Sequence, residues 1–119
     1  MKWYLAKVVY RIICGDGNHT AQFDEQWRLI EAVDESAAFE KATSIGQSEA
    51  ETFYNQRQQV VAWQFVNVPE LHCLQPLLHG AEVHSRITEV DDAEGYINFI
   101  HHKAQSLQQK STQPLLNLF

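Results

Sequence analysis

Three polar side chains recur on alternate residues late in the chain: Glu82, His84 and Arg86, separated by Val83 and Ser85 and followed by Ile87. In an extended strand alternate residues point the same way, so a carboxylate, an imidazole and a guanidinium would stand in a row. Such a row can position an anion or run acid and base chemistry. It is also how the solvated face of an antiparallel strand reads, and that plainer explanation is favoured. Lys7 and Arg11 share one face of the first strand and could meet the row within one sheet. Lys7, Arg11, Glu82, His84 and Arg86 are therefore the candidate binding residues. No residue is assigned as catalytic; Glu82, His84 and Arg86 would carry the chemistry if the domain were an enzyme.

Six histidines are many for 119 residues, which raises the question of a metal site. Ligands on one ion are expected at i, i+4 on a helix or i, i+2 on a strand. His101 and His102 are adjacent, as are His72 and Cys73. The best set left is Glu82 and His84, completed by His79 or His72. Exposed or structural histidines remain the favoured explanation, and neither a metal nor another cofactor is expected. Nucleophilic catalysis has little support, because there is no GxSxG elbow and neither cysteine has a local histidine signature. The Gly15–Asn18 stretch, GDGN, lacks the lysine of a phosphate loop. The balance leans away from an enzyme.

The elements that would position these groups alternate between strand and helix patterns. Trp3 to Cys14 reads as a long strand with Tyr4, Ala6, Val8, Tyr10, Ile12 and Cys14 on its apolar face. GDGN is a turn, and Phe23 to Val33 is the returning strand. Asp34 reads as a helix N-cap and Gly46 as the C-terminal stop, with Ala38, Phe39, Ala42 and Ile45 at helical spacing between them. Thr52 to Tyr54 and Val60 to Val68 read as a second hairpin, ended by Pro69. Glu70 to His79 reads as an irregular connection with a helical turn, and Ala81 to Val90 as a fifth strand. Asp91 with Glu94 forms a capping box opening a helix to about Gln109, whose Ala93, Tyr96, Ile97, Ile100, Ala104 and Leu107 share a sheet-facing side. The fold class is thus α+β: one antiparallel sheet of about five strands with two helices on one face, in the order ββαβββα. Residues 1–110 form a single domain, and 111–119 an apolar C-terminal tail after a linker-like stretch.

Charge bounds the partners. The chain has 15 acids against 9 bases, a net charge of −6. Eight of those acids lie between Asp24 and Glu51 against only Arg28 and Lys41, so the rest of the chain is neutral. Binding to DNA or RNA needs clustered Lys and Arg, and there is no basic run, so nucleic acid is set aside. Lys7 and Arg11 break the apolar opening of the chain, which argues against a signal peptide, and no apolar stretch approaches the roughly 20 residues of a membrane helix. A soluble cytoplasmic protein without membrane contact is expected, with Cys14 and Cys73 as two buried thiols in a reducing compartment.

Several segments together resemble a known bacterial family. These are Trp3-Tyr4, the Ala37-Ala38-Phe39-Glu40-Lys41-Ala42 helix, Glu51-Thr52-Phe53-Tyr54-Asn55, the Val61-Ala62-Trp63-Gln64-Phe65-Val66 strand, and Gly80-Ala81-Glu82-Val83-His84-Ser85-Arg86. The chain resembles the domain of unknown function 4288 family from about Lys2 to Arg86. The turn after Asn55 often carries a glycine in that family, whereas this sequence has Gln56-Arg57-Gln58. The resemblance implies a bacterial cytoplasmic origin and transfers no activity.

The expected function is accordingly a non-catalytic binding or protein-interaction module. Strands hold Trp3, Trp27 and Trp63, and two helices cannot cover both faces of one sheet, so aromatic surface is left for a partner. A homodimer is expected, with the tail residues Leu115, Leu116, Leu118 and Phe119 packed on a second copy. One alternative is a small enzyme or metal-dependent activity at Glu82, His84 and Arg86. Another is an acidic, immunity-type inhibitor that covers a basic protein partner with Glu31, Asp34 and Glu35.

Overall fold

The computed structural model describes residues 1–116, with side chains through Lys110. It divides into two compact units, the first spanning Met1–Ser85 and the second beginning at Arg86.

The first unit is an antiparallel sheet with one helix on it. Its strands are β1 (Lys2–Cys14), β2 (Gln22–Ala32), β3 (Glu51–Tyr54) and β4 (Val60–Cys73), in the spatial order β2-β1-β4-β3. The expected alternation of β1 is realised, with Tyr4, Ala6, Val8 and Tyr10 buried on one face. Helix α1 (Glu35–Ser48) lies over that face, and its Ala38 and Ala42 join Ile30, Ala32 and Val68 in the core. Asp34 is its N-cap as expected, its carboxylate accepting the Ala37 amide proton at 2.8 Å.

Gly46 is not the helix stop. α1 continues to Ser48, and Gly46 is buried inside it against Phe65 and Val8, where a β-carbon would have no room. The glycine is there for close approach of helix to sheet, and the Tyr10 hydroxyl donates to its carbonyl at 2.8 Å.

Pro69 does not end β4 either. Pairing with β1 runs Tyr10↔Phe65, then Val9↔Asn67, then Lys7↔Glu70, so β4 spends one extra residue at each of two register shifts. Pro69 falls within the second, where a residue without an N–H leaves no ladder bond unmade. Beyond it the strand continues, pairing Ala6↔Leu71, Leu5↔His72 and Tyr4↔Cys73. Two one-residue shifts restore the original alternation, so Glu70 and His72 face away from α1 as Gln64 does.

Among the described residues the sheet has four strands, not five. Ala81 to Val90 carries no ladder pairing. Alternation in sequence favours extended backbone, but a strand also needs a sheet edge to bond, and His84 instead lies against rings on the sheet's face. The expected pair of buried thiols is also revised: both are free, Cys14 half-buried and Cys73 exposed.

The tight GDGN turn is present, with Gly15 and Gly17 at positive φ. In the β3–β4 turn Gln58 takes φ 62°, the left-handed conformation that a glycine would adopt without strain.

In the second unit α2 spans Ala93–Leu116. Its first turn is capped by Asp92, which accepts the Gly95 amide proton at 3.0 Å, and not by the Asp91 of the expected box. No helix among the described residues is long and apolar enough to cross a membrane.

Candidate functional site

The register of the sheet builds two rows across its outer face, the one opposite α1. Lys7 pairs with Trp27 on one side and Glu70 on the other, and Leu5 pairs with Leu29 and His72. Cross-strand neighbours on one face are close enough to touch, so Trp27, Lys7, Glu70 and His72 must form one cluster. The Lys7 ammonium lies 3.0 Å from Glu70 Oε2, 3.7 Å from Glu25 Oε2 and 5.1 Å from the centre of the Trp27 ring. Its side chain is only 11% exposed. A lysine this enclosed needs opposite charge close by, and the two carboxylates and the ring face supply it.

His84 joins from the irregular segment after β4. Its ring centre is 4.0 Å from that of His72 and 5.6 Å from that of Trp27, while Trp27 and His72 are 5.9 Å apart. The two oxygens of Glu70 have separate tasks: Oε2 meets Lys7, and Oε1 is 3.4 Å from His72 Nε2. One ligand atom from each of Glu70, His72 and His84 lies within 4.8 Å of the others. A recess of about 290 Å³ adjoins them, lined by His72, Cys73, Gln75, Glu82, Val83 and His84.

Of the sequence candidates, Lys7 and His84 are brought into this cluster and Glu82 to the rim of its recess. Arg11 is on the same face, opposite Phe23 and Gln64, and exposed. Arg86 belongs to the second unit. Glu70 does not stand out in the sequence, and His72 does so only as an optional metal partner, because Pro69 reads as a strand terminator; Trp27 stands out only as one of the aromatics left for a partner. The signal that could have found them was the i, i+2 spacing of Glu70 and His72.

Other histidines have different duties. His19 closes the GDGN turn, its Nε2 accepting the Cys14 amide proton at 3.0 Å and its Nδ1 lying 2.8 Å from the Thr20 carbonyl. His79 is exposed, and His101 and His102 lie in α2.

In the acidic segment Arg28 pairs with Glu49, and the Lys41 ammonium donates to the Glu31 carbonyl at 2.7 Å. Glu31, Asp34 and Glu35 are exposed. Leu118 and Phe119, and the side chains of Leu115 and Leu116, lie outside the described residues.

The chain belongs to the family described as Domain of unknown function (DUF4288), whose model matches residues 3–85. That match ends where the first compact unit ends, so the whole outer-face cluster lies inside the family domain. No curated protein and no solved structure matches the chain.

Proposed function

We propose that this DUF4288 domain acts by binding rather than by catalysis, and that its binding surface is the outer face of the sheet, centred on Lys7, Trp27, Glu70, His72 and His84. The observation that carries this reading is an enclosed lysine held by Glu25, Glu70 and the Trp27 ring, with the His72 and His84 imidazoles packed on that same ring, on the face of the sheet opposite α1. The hydrophobic core on the other face has no need of them. A stability role would be served as well by apolar residues of similar volume, which avoid the desolvation of charge. A few convergent polar groups beside an aromatic face are the features by which a small-ligand site is recognised.

The test is an NMR titration of the protein with zinc chloride, sodium phosphate and adenosine in turn. A divalent cation would engage the imidazoles and Glu70, an anion Lys7, and a planar ring the Trp27 face. At least one should shift the Trp27 indole and the His72 and His84 ring signals while α1 signals stay in place. If none does so at millimolar concentration, the outer face is not a small-ligand site.

The domain acts as a homodimer in this proposal. Support comes from Trp3, Phe23, Trp27 and Leu29, which are exposed on the outer face of β1 and β2. Exposed apolar side chains gathered on one face are characteristic of association surfaces. Light scattering at micromolar concentration should give the mass of two chains, and Leu29→Glu should give one. A monomeric mass for the unaltered protein removes this part of the reading.

A further inference from the structure

We infer that the outer-face site binds a divalent first-row transition metal ion through Glu70, His72 and His84. The inference rests on the binding role proposed for that face and names its ligand.

The donor set is two imidazoles and one carboxylate, which suits zinc and its neighbours and not the hard, all-oxygen ions. Ligands at about 2.0–2.2 Å from a tetrahedral ion are roughly 3.3–3.6 Å apart. Glu70 Oε1 and His72 Nε2 are already 3.4 Å apart, so one edge of such a site is in place before any ion arrives. Both residues stand on β4, two positions apart on one face, and the strand fixes their spacing. The third ligand has to close in from within 4.8 Å. His84 is the one able to do so, because it lies on a segment outside the sheet ladder.

Lys7 completes the arrangement as an orienting group. It holds Oε2 of Glu70 at 3.0 Å and so turns Oε1 toward His72. Outer partners of this type fix the direction of a ligating carboxylate without touching the ion. Three protein ligands leave a coordination position open, and the adjoining recess with Glu82 on its rim is where a water or small anion would complete the shell.

The experiment uses full-length protein freed of metal with chelator. Calorimetric titration with zinc chloride should give one site per chain, and the same titration of His72→Ala and of His84→Ala should show affinity lowered at least a hundredfold. Lys7→Met should bind about 10–100-fold more weakly, the loss typical of an outer-shell partner. His101→Ala should bind as the unaltered protein does. Copper(II) should quench Trp27 fluorescence because both imidazoles lie within 6 Å of that ring. Trp27→Phe should remove most of that quench, with Trp3 and Trp63 still present as emitters. Circular dichroism of each metal-free variant checks that the fold persists. Absence of zinc binding at 100 µM, or binding that survives loss of both His72 and His84, overturns the inference. If zinc fails but phosphate or adenosine still shifts the Trp27 and His72 signals, the binding face stands and the metal does not; if all three fail, both readings fall.

Discussion

Replacing Gly46 by alanine tests how α1 is seated, and the structure sets the size of the effect. The added methyl would lie 2.7 Å from Phe65 Cδ2 and 3.0 Å from Val8 Cγ1, both closer than carbon atoms tolerate. Val8 is fully buried and Phe65 packs edge-on against Tyr10 at 6.1 Å, so neither can swing away without disturbing the core. Forcing a methyl into a packed core costs about 1–3 kcal/mol. Lifting α1 to make room would stretch the Tyr10–Gly46 hydrogen bond, worth about 1 kcal/mol. Against this, alanine is the better helix former by about 1 kcal/mol. The net expectation is a loss of about 2 kcal/mol, or a melting temperature about 8 °C lower for a chain of this size. Thermal and urea unfolding followed by circular dichroism measure it. Phe65→Leu supplies the control, because in that background Gly46→Ala should cost less, with a coupling of about 0.5–3 kcal/mol between the two positions. Gly46→Ala at or above the stability of the unaltered protein would refute the close-approach argument.

Burial first, and the nearby Glu49 carboxylate second, push the Tyr10 phenol above its ordinary value of 10.0. Above about pH 10 the unfolded chain gives up this proton while the folded one keeps it, so the folded state binds more protons and stability falls as pH rises; below that pH the contribution is intact. Tyr10→Phe should therefore cost about 1 kcal/mol at pH 7 for the lost hydrogen bond, yet flatten the decline in urea midpoint between pH 9 and 11. Gln58→Gly should raise stability by about 0.5–1 kcal/mol by relieving the left-handed backbone at φ 62°, whereas Gln58→Ala should change little. Ending the chain at Lys110 should lower the dimer fraction seen by light scattering if the apolar tail contributes to association, and an unchanged dimer would assign the contact to the outer-face apolar side chains alone.

Much of the fold was legible because its local signals agree with one another. The apolar face of β1, the GDGN turn and the Asp34 cap each have a local physical cause and appear as read, except that Ile12 and Cys14 at the end of that face are only half-buried. The failures share a different cause. Gly46 and Pro69 are residues whose usual local meaning, helix stop and strand stop, was overridden by tertiary contacts, namely the approach of Phe65 and the register shifts against β1. Ala81 to Val90 failed in the opposite way, since its alternation was a sound local signal but the segment takes no ladder pairing at either open edge, β2 or β3, and His84 packs instead on the rings of Trp27 and His72. The candidate site followed the same division. Lys7 and His84 were found because their residue types stand out in sequence, while Trp27 and Glu70 acquire meaning only once the register places them across from Lys7.

The double shift in β4 links these observations to function. A strand that ran in uniform register from Val60 would either stop at Pro69 or pair Lys7 with a different residue. One shift alone would reverse the alternation and turn Glu70 and His72 into the apolar layer beneath α1, beside Tyr4 and Ala6. Two shifts return the alternation to its first phase while displacing β4 by two residues along β1, and that displacement sets Glu70 opposite Lys7 and His72 opposite Leu5. Bulges weaken a ladder locally and are kept where they re-aim side chains. Here the residues re-aimed are a carboxylate and an imidazole, and the side chains awaiting them are a lysine held by a second carboxylate and the face of a tryptophan. A sheet that needed only to cover α1 would gain nothing from this irregularity, so the cost of two interruptions in a central strand is best accounted for by the cluster that they assemble.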